Sequence, residues 1–243
     1  MCSLFVLLDA DPDFPILVAA NRDEQRARPS SPPGLFVGRH RRILSPRDQR
    51  AHGTWMGVND ALWFAGLTNV AGGNRSAAAA SRGALPHLAL DQEHFDAVPK
   101  AIAAEVVARA YNDFQLLVTD GTRAVVLRHV DRALCVETPS TRTFVLTNEH
   151  APQTLQVPGL DGARAHRLSV LERLDRLAPL LLDTGASSGH RVLKVGGDYG
   201  TVSSSLVAIP RRDVMQLIWR FAPGSPEQTS YRNYGNLGRR LRG

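Results

Sequence analysis

The fold of this chain is decided by residues 2–24, which read CSLFVLLDADPDFPILVAANRDE. Two apolar runs, residues 3–8 and 15–20, flank a turn rich in aspartate and proline, and this pattern predicts a hairpin of buried strands. Four polar residues, 21–24, follow the second run and are expected to end its strand. Because hairpin strands run antiparallel, the start of the first strand is predicted to lie beside this polar tetrapeptide.

Hairpins recur along the rest of the chain. Strand-length apolar runs separated by turns occur at residues 54–58, 62–68, 114–119, 124–129, 143–147, 202–209 and 214–221. Helical spacing of apolar residues predicts helices over 77–90, 91–110 and 161–182. Residues 28–34 are rich in proline and serine and are expected to form a loop.

This order of elements favours an α+β fold built from largely antiparallel sheets. The predicted helices are amphipathic, so each must cover a sheet face, and two sheets with helices outside satisfy the pattern. The length of 243 residues suits one large domain. We assign this domain to residues 1–223 and expect residues 224–243 to form a polar, arginine-rich tail.

Composition limits the functional classes. The formal net charge is +6 and the pI is about 10.0, but the arginines are scattered, so no nucleic-acid partner is expected. This arginine usage is typical of a GC-rich bacterial genome. No apolar run reaches the length of a membrane span, which predicts a cytoplasmic protein without integral membrane association.

The cysteines also narrow the possibilities. Two cysteines cannot form a disulfide framework in a domain of this size. No Cys or His pairs have zinc-site spacing, and no nucleotide fingerprint occurs, so neither a metal nor a cofactor is expected. Cys135 lies in an apolar run and is predicted to be a buried, inert thiol.

Cys2 is the strongest candidate for chemistry. Removal of the initiator methionine would leave it with both a thiol and a free α-amine. The thiolate is a strong nucleophile, and an α-amine with a pKa of about 8 can accept the thiol proton. Nucleophile and base then occupy one residue, as in enzymes with an N-terminal threonine. The alternative is a chance cysteine at the start of an ordinary strand.

Several sequence blocks carry a family resemblance. They are Met1-Cys2, Asn21-Arg22-Asp23-Glu24, Gly53-Thr54-Trp55-Met56-Gly57-Val58-Asn59, Gly66-Leu67-Thr68-Asn69, Ser81-Arg82-Gly83, Leu146-Thr147-Asn148 and Gly200-Thr201-Val202-Ser203-Ser204. Together they resemble the NRDE family, also called the transport and Golgi organisation protein two family, over residues 1–221. That family is in turn remotely similar to the choloylglycine hydrolase and penicillin acylase branch of the N-terminal-nucleophile (Ntn) hydrolases.

The resemblance implies a fold and a set of site residues. The fold is a four-layer αββα sandwich. Cys2 would be the nucleophile, with Arg22 and Asp23 orienting it. Asn69 and Asn148 would donate to the oxyanion, although strand-end asparagines are as often simple turn residues. Asn21, Glu24, Trp55 and Arg82 are expected to bind substrate. The family usually has the sequence Gly-Thr-Arg-Ser-Ser near the C-terminal strands. Here Val202 occupies the arginine position, so this chain lacks whatever contact that arginine makes.

Two functions remain open from the sequence. The first is an N-terminal-cysteine hydrolase or acyltransferase acting on an amide or thioester, with an acyl-coenzyme A or N-acyl amide as ligand. The second is a non-catalytic binding or trafficking protein for acyl-coenzyme A, lipid or haem that uses the same cleft. The basic surface suits the phosphates of the one ligand and the propionates of the other.

Overall fold

The computed structural model describes residues 2–72, 76–149, 151–160, 167–185 and 191–242. Within these residues the chain forms two seven-stranded sheets in which all neighbouring strands are antiparallel. The described residues contain no helix that is long and apolar enough to cross a bilayer.

The first sheet carries the two strands predicted from residues 2–24. Its strands in chain order are β1 (Cys2–Leu8), β2 (Ile16–Gln25), β10 (Thr143–Leu146), β11 (Gln153–Thr154), β12 (Tyr199–Ile209), β13 (Ile218–Ala222) and β14 (Arg232–Asn233). The order across the sheet is β11-β10-β1-β2-β12-β13-β14, so the β1–β2 hairpin lies at the centre. The predicted central hairpin is confirmed.

The second sheet follows chain order. Its strands are β3 (Ser30–Val37), β4 (Arg42–Asp48), β5 (Met56–Asn59), β6 (Phe64–Asn69), β7 (Phe114–Thr119), β8 (Ala124–Val130) and β9 (Ala133–Glu137). It packs closely on the first sheet where β6 crosses β1. A Cβ atom added to Gly66 would lie 2.6 Å from Leu4 Cδ2, so glycine permits this approach.

Side-chain alternation along the strands builds four layers. Val6, Val18, Phe64 and Trp219 are fully buried between the sheets. The opposite face of the second sheet is covered by α1 (Ala84–Leu90) and α2 (Val98–Ala108). The opposite face of the first sheet is covered by α3 (Val170–Leu177) and a 3₁₀ helix, Ala178–Leu182. This arrangement confirms the αββα sandwich.

The helices are shorter than the sequence predicted. Residues 77–83 and 91–97 contain no α-helix, although a short 3₁₀ helix, Phe95–Ala97, precedes α2. The third helix begins only at Val170 because Ser169 and Glu172 form a reciprocal capping box there. Residues 161–166 of its predicted range lie outside the described residues.

Three strands of the second sheet, β3, β4 and β9, were not predicted. Residues 28–34 were expected to be a loop, yet most of them belong to β3, which pairs with β4. The prolines are tolerated because β3 is an edge strand and its register shifts between Ser31 and Gly34.

Two other predictions were wrong. Residues beyond 223 do not form a simple polar tail, since β14 pairs with β13 and Leu241 is buried in the core between the sheets. Cys135 lies on β9, an edge strand, where its thiol is exposed rather than buried.

A partly buried histidine makes stability dependent on pH. The ring of His87 on α1 stacks on Phe36 and hydrogen-bonds Ser45 Oγ at 3.0 Å. Burial, assisted by the charge of Arg47, lowers the pKa of His87 to about 4. The unfolded chain, with a histidine pKa near 6.5, therefore binds a proton first as pH falls.

We expect this histidine to lower the free energy of unfolding by roughly 2 kcal/mol between pH 7 and pH 4.5. Urea unfolding at the two pH values should show a smaller loss in His87→Gln than in the native chain, because the titrating group is gone. The exposed His94 provides the control, and His94→Gln should retain the native pH dependence. Equal pH dependence in all three chains would contradict the assignment.

Candidate active site

Cys2 and the tetrapeptide at residues 21–24 meet at one end of the sandwich. Cys2 lies directly opposite Arg22 in the β1–β2 register. Leu4 and Ala20, two residues further along each strand, belong to the core between the sheets, so Cys2 and Arg22 face the same way. The tetrapeptide does not end its strand as predicted, because β12 pairs with β2 as far as Gln25.

A cavity of about 370 Å³ opens at this end. Seven residues predicted to act in catalysis or binding line it: Cys2, Arg22, Asp23, Glu24, Trp55, Asn69 and Arg82. They come from β1, β2, β6 and the segments that precede β5 and α1. The antiparallel sheets therefore bring together residues that are far apart in the sequence.

Asn148 is the fifth residue of the predicted catalytic set. It follows β10, the neighbour of β1, and the Cys2 main-chain nitrogen donates to its Oδ1 at 2.6 Å. Asn148 is buried and does not line the cavity. The contact places its amide beside the main chain of Cys2.

The Cys2 thiol is partly buried at the cavity wall. Burial raises the pKa of Cys2, and the nearby Asp23 carboxyl acts in the same direction. The Asp23 main-chain N–H, which hydrogen-bonds the sulfur, and the charge of Arg22 oppose this rise. The Asp23 N–H and the Arg22 charge thus stabilise the thiolate and offset part of the rise in the Cys2 pKa.

Arg22 is held by a carboxylate from the other sheet. Its Nη2 donates to Asp48 Oδ2 at 2.6 Å, and its guanidinium lies 4.4 Å from the centre of the Trp55 ring. Burial lowers the pKa of Arg22, while the charges of Cys2, Asp48 and Glu24 raise it. Hydrogen bonds from Arg28 contribute to lowering the pKa of Asp48, so this carboxylate stays ionised.

Asp23 is fixed by β12. The Thr201 hydroxyl donates to Asp23 Oδ1 at 2.6 Å, and the Tyr199 hydroxyl donates to the Asp23 carbonyl. Burial raises the pKa of Asp23, and the Thr201 hydrogen bond counteracts it. Val202, where the family has arginine, lies in the register shift between Thr201 and Ser203.

Asn21 does not contact the cavity, contrary to expectation. Its side chain is on the opposite face of β2 and is almost completely buried. There Nδ2 donates to the Leu181 carbonyl at 2.8 Å. Asn21 thus joins the first sheet to its outer layer, because consecutive strand residues point to opposite faces.

Asp48 and Thr201 were not predicted from the sequence to be site residues. Asp48 ends β4, a strand that the apolar pattern did not reveal, and it also accepts the main-chain N–H groups of Arg50 and Ala51. Thr201 belongs to a block noted for its resemblance alone. No local signal links either residue to Arg22 or Asp23, since both contacts depend on pairing between distant strands.

Gly53 shapes the cavity wall. A Cβ atom at this position would lie 2.4 Å from the carbonyl carbon of Gly83, whose oxygen accepts the Thr54 N–H. Gly53→Ala should therefore displace the segment that carries Arg82 and lower the free energy of unfolding by about 1–3 kcal/mol in urea denaturation. Gly34→Ala is the matched control because open space surrounds that position. An equal effect of both substitutions would refute the steric argument.

Known structures share this fold. The chain has a TM-score of 0.54 and 13% identity to a conjugated bile acid hydrolase from Clostridium perfringens, covering 96% of this chain and 92% of that one. It has a TM-score of 0.54 and 12% identity to penicillin V acylase from Agrobacterium tumefaciens, covering 91% and 83%. Both neighbours are Ntn hydrolases.

Comparison of the sequence with curated proteins found no match. The family model for Transport and Golgi organisation 2 matches residues 1–158, which include β1, β2 and every residue that lines the cavity. The chain therefore belongs to the Transport and Golgi organisation 2 family, as its Asn21-Arg22-Asp23-Glu24 block and its Ntn-hydrolase fold together indicate.

Proposed function

We propose that this protein is an N-terminal-cysteine hydrolase or acyltransferase that acts on an amide or thioester. The observation that carries the proposal is the environment of Cys2. Cys2 lies opposite Arg22 and lines the cavity that Asn69 also lines, and its main-chain nitrogen lies 2.6 Å from Asn148 Oδ1. If Cys2 becomes the first residue of the mature chain, that nitrogen is an α-amine already held next to its own thiol.

The chemistry follows from this arrangement. The α-amine takes the thiol proton, and the thiolate attacks the carbonyl carbon of the substrate, forming a C–S bond and a tetrahedral oxyanion. The ammonium returns the proton to the leaving nitrogen or sulfur as the C–N or C–S bond of the substrate breaks. Water then hydrolyses the acyl-enzyme thioester, or a second nucleophile accepts the acyl group.

Neighbouring side chains have separate tasks in this scheme. The Asn148 side-chain oxygen Oδ1 orients the α-amine, and the Asp23 main-chain N–H supports the sulfur as it ionises. Asn69 is the candidate donor to the oxyanion, a contact that lowers the barrier by about 3 kcal/mol in comparable sites. The neighbours of similar fold, named as a bile acid hydrolase and an acylase, support acyl chemistry of this class.

The first test is the mass of the mature protein combined with a substrate panel. We expect intact-mass measurement to show a chain without Met1, and a panel of chromogenic N-acyl amides and acyl thioesters to include at least one that is turned over. Retention of Met1 would overturn the mechanism because Cys2 would then have no free amine.

The panel also separates the two functional classes. Met1 could be removed without any substrate being turned over. If acyl-coenzyme A, lipid or haem then binds saturably in a thermal-shift assay, the protein is a carrier and not an enzyme. A ligand present at ~100 times its dissociation constant should add about 2.7 kcal/mol to stability, which such an assay detects.

A further inference from the structure

Of the two terminal nitrogens of the Arg22 guanidinium, one makes a hydrogen bond and the other has no partner among the described residues. Nη2 is bound to Asp48, whereas Nη1 is buried and makes no hydrogen bond to any residue that the structure describes. The side chain is only 5% exposed. An unsatisfied N–H on a buried cation is costly, so the group needs an acceptor from a water, an ion or a ligand.

This unsatisfied group belongs to a residue of the cavity wall, beside the nucleophile. Arg22 and Cys2 are directly opposite in the β1–β2 register, where side chains on one face start about 5 Å apart. Asp48 holds the guanidinium on one side and Trp55 lies against its face. The guanidinium is therefore fixed in place without reorganisation when a substrate enters.

The cavity is also poorly suited to a long apolar chain. Its wall combines charged side chains, small polar groups and alanines, and the Trp55 ring is already stacked with Arg22. A cavity of about 370 Å³ is at the small end of ligand pockets. A hydrocarbon tail would have to lie against ion pairs such as Arg28–Asp48, which would lose hydration without compensation.

We infer that the substrate is a small, polar acyl compound that carries an anionic oxygen a few bonds from its reacting carbonyl, and that Arg22 Nη1 donates to this oxygen. The inference rests on the proposed function for the identity of the reacting group. The oxygen belongs to a carboxylate or a phosphate, since both accept a guanidinium hydrogen bond.

Alkylation of Cys2 tests this inference without a known substrate. Iodoacetate and iodoacetamide both react with a thiolate, forming a carbon–sulfur bond and releasing iodide, but only iodoacetate places a carboxylate beside the sulfur. Peptide mass spectrometry gives both rate constants at Cys2 and, in the same chain, at the exposed Cys135. The ratio of iodoacetate to iodoacetamide rates at Cys2 should exceed that at Cys135 by roughly tenfold, the effect of one charge-assisted hydrogen bond.

Variants and competitors complete the test. Arg22→Gln should abolish the preference for iodoacetate, while Arg22→Lys should retain part of it. Because Arg22→Gln leaves Asp48 short of a partner and could impair folding, competition in the native chain serves as a second measurement. Acetate or inorganic phosphate, at constant ionic strength, should slow iodoacetate far more than iodoacetamide, and the stronger competitor identifies the kind of anion.

Equal ratios at the two cysteines, with no effect of either anion, would overturn the inference. A variant in which both reagents slow equally would also overturn it, because Arg22 would then support only the thiolate. Alkylation does not require removal of Met1 or turnover. Failure of the proposed function would therefore appear in the mass and substrate experiments while the anion preference persisted.

Discussion

Replacement of Cys2 by serine is expected to lower the turnover of any substrate found in the panel by roughly 10³-fold or more, with little change in its binding. Serine keeps the α-amine and nearly the same volume, but its hydroxyl is far harder to ionise than a thiol of pKa about 8.5. The thiolate acts mainly in the transition state, so its loss appears in kcat rather than in affinity. Steady-state kinetics together with equilibrium binding of the same compound measures both effects.

Cys135→Ser is the matched control, because it removes the same atom from an exposed edge strand that does not line the cavity. Its kcat should equal that of the native chain. Arg22→Ala should instead weaken substrate binding, since a charge-assisted hydrogen bond is lost in the ground state. If Cys2→Ser retains every measurable function while Arg22→Ala abolishes ligand binding, the enzyme proposal fails and the carrier takes its place.

The Asp48→Ala substitution should have the largest effect on stability, lowering the free energy of unfolding by about 3 kcal/mol. Arg22 would be left buried without the carboxylate that its Nη2 contacts. The N–H groups of Arg50 and Ala51 would lose their acceptor as well. We place the loss at the low end of the range for buried pairs because Arg28, the other partner, is partly open to water.

Urea denaturation of Asp48→Ala beside Asp96→Ala isolates the effect of burial. Asp96 pairs with Arg123 at 2.7 Å, a similar distance, but its side chain is 85% exposed. Removal of such a surface pair should change stability by less than about 1 kcal/mol. Similar losses in the two variants would mean that the network around Arg22 does not stabilise the fold. The double substitution Arg22→Met with Asp48→Leu should recover part of the loss, since no unpaired buried charge remains.

The sequence alone predicted the central hairpin and, through it, the meeting of Cys2 with residues 21–24. Both depend on local information: two apolar runs of strand length, a turn of favourable residues and the antiparallel direction that the turn imposes. The alternation of hairpins and amphipathic helices likewise indicated two sheets with helices outside. Such patterns are readable because each element must bury one face.

Strand pairing between distant segments decided the details of the site. Pairing with β12 extends β2 to Gln25, and the alternation of its side chains turns Arg22 toward the cavity and Asn21 toward Leu181. The sequence of the tetrapeptide does not specify which side chain points toward the cavity, because the direction depends on the register of β2 with β1 and β12.

The partners of Arg22 and Asp23 are also products of the tertiary structure. Asp48 reaches Arg22 from the other sheet, and Thr201 reaches Asp23 from a strand about 180 residues further along the chain. The local sequences around Asp48 and Thr201 do not indicate which residue each of them contacts. Only the packing of the two sheets brings the carboxylate and the guanidinium within 2.6 Å, where mutual burial makes the pairing obligatory.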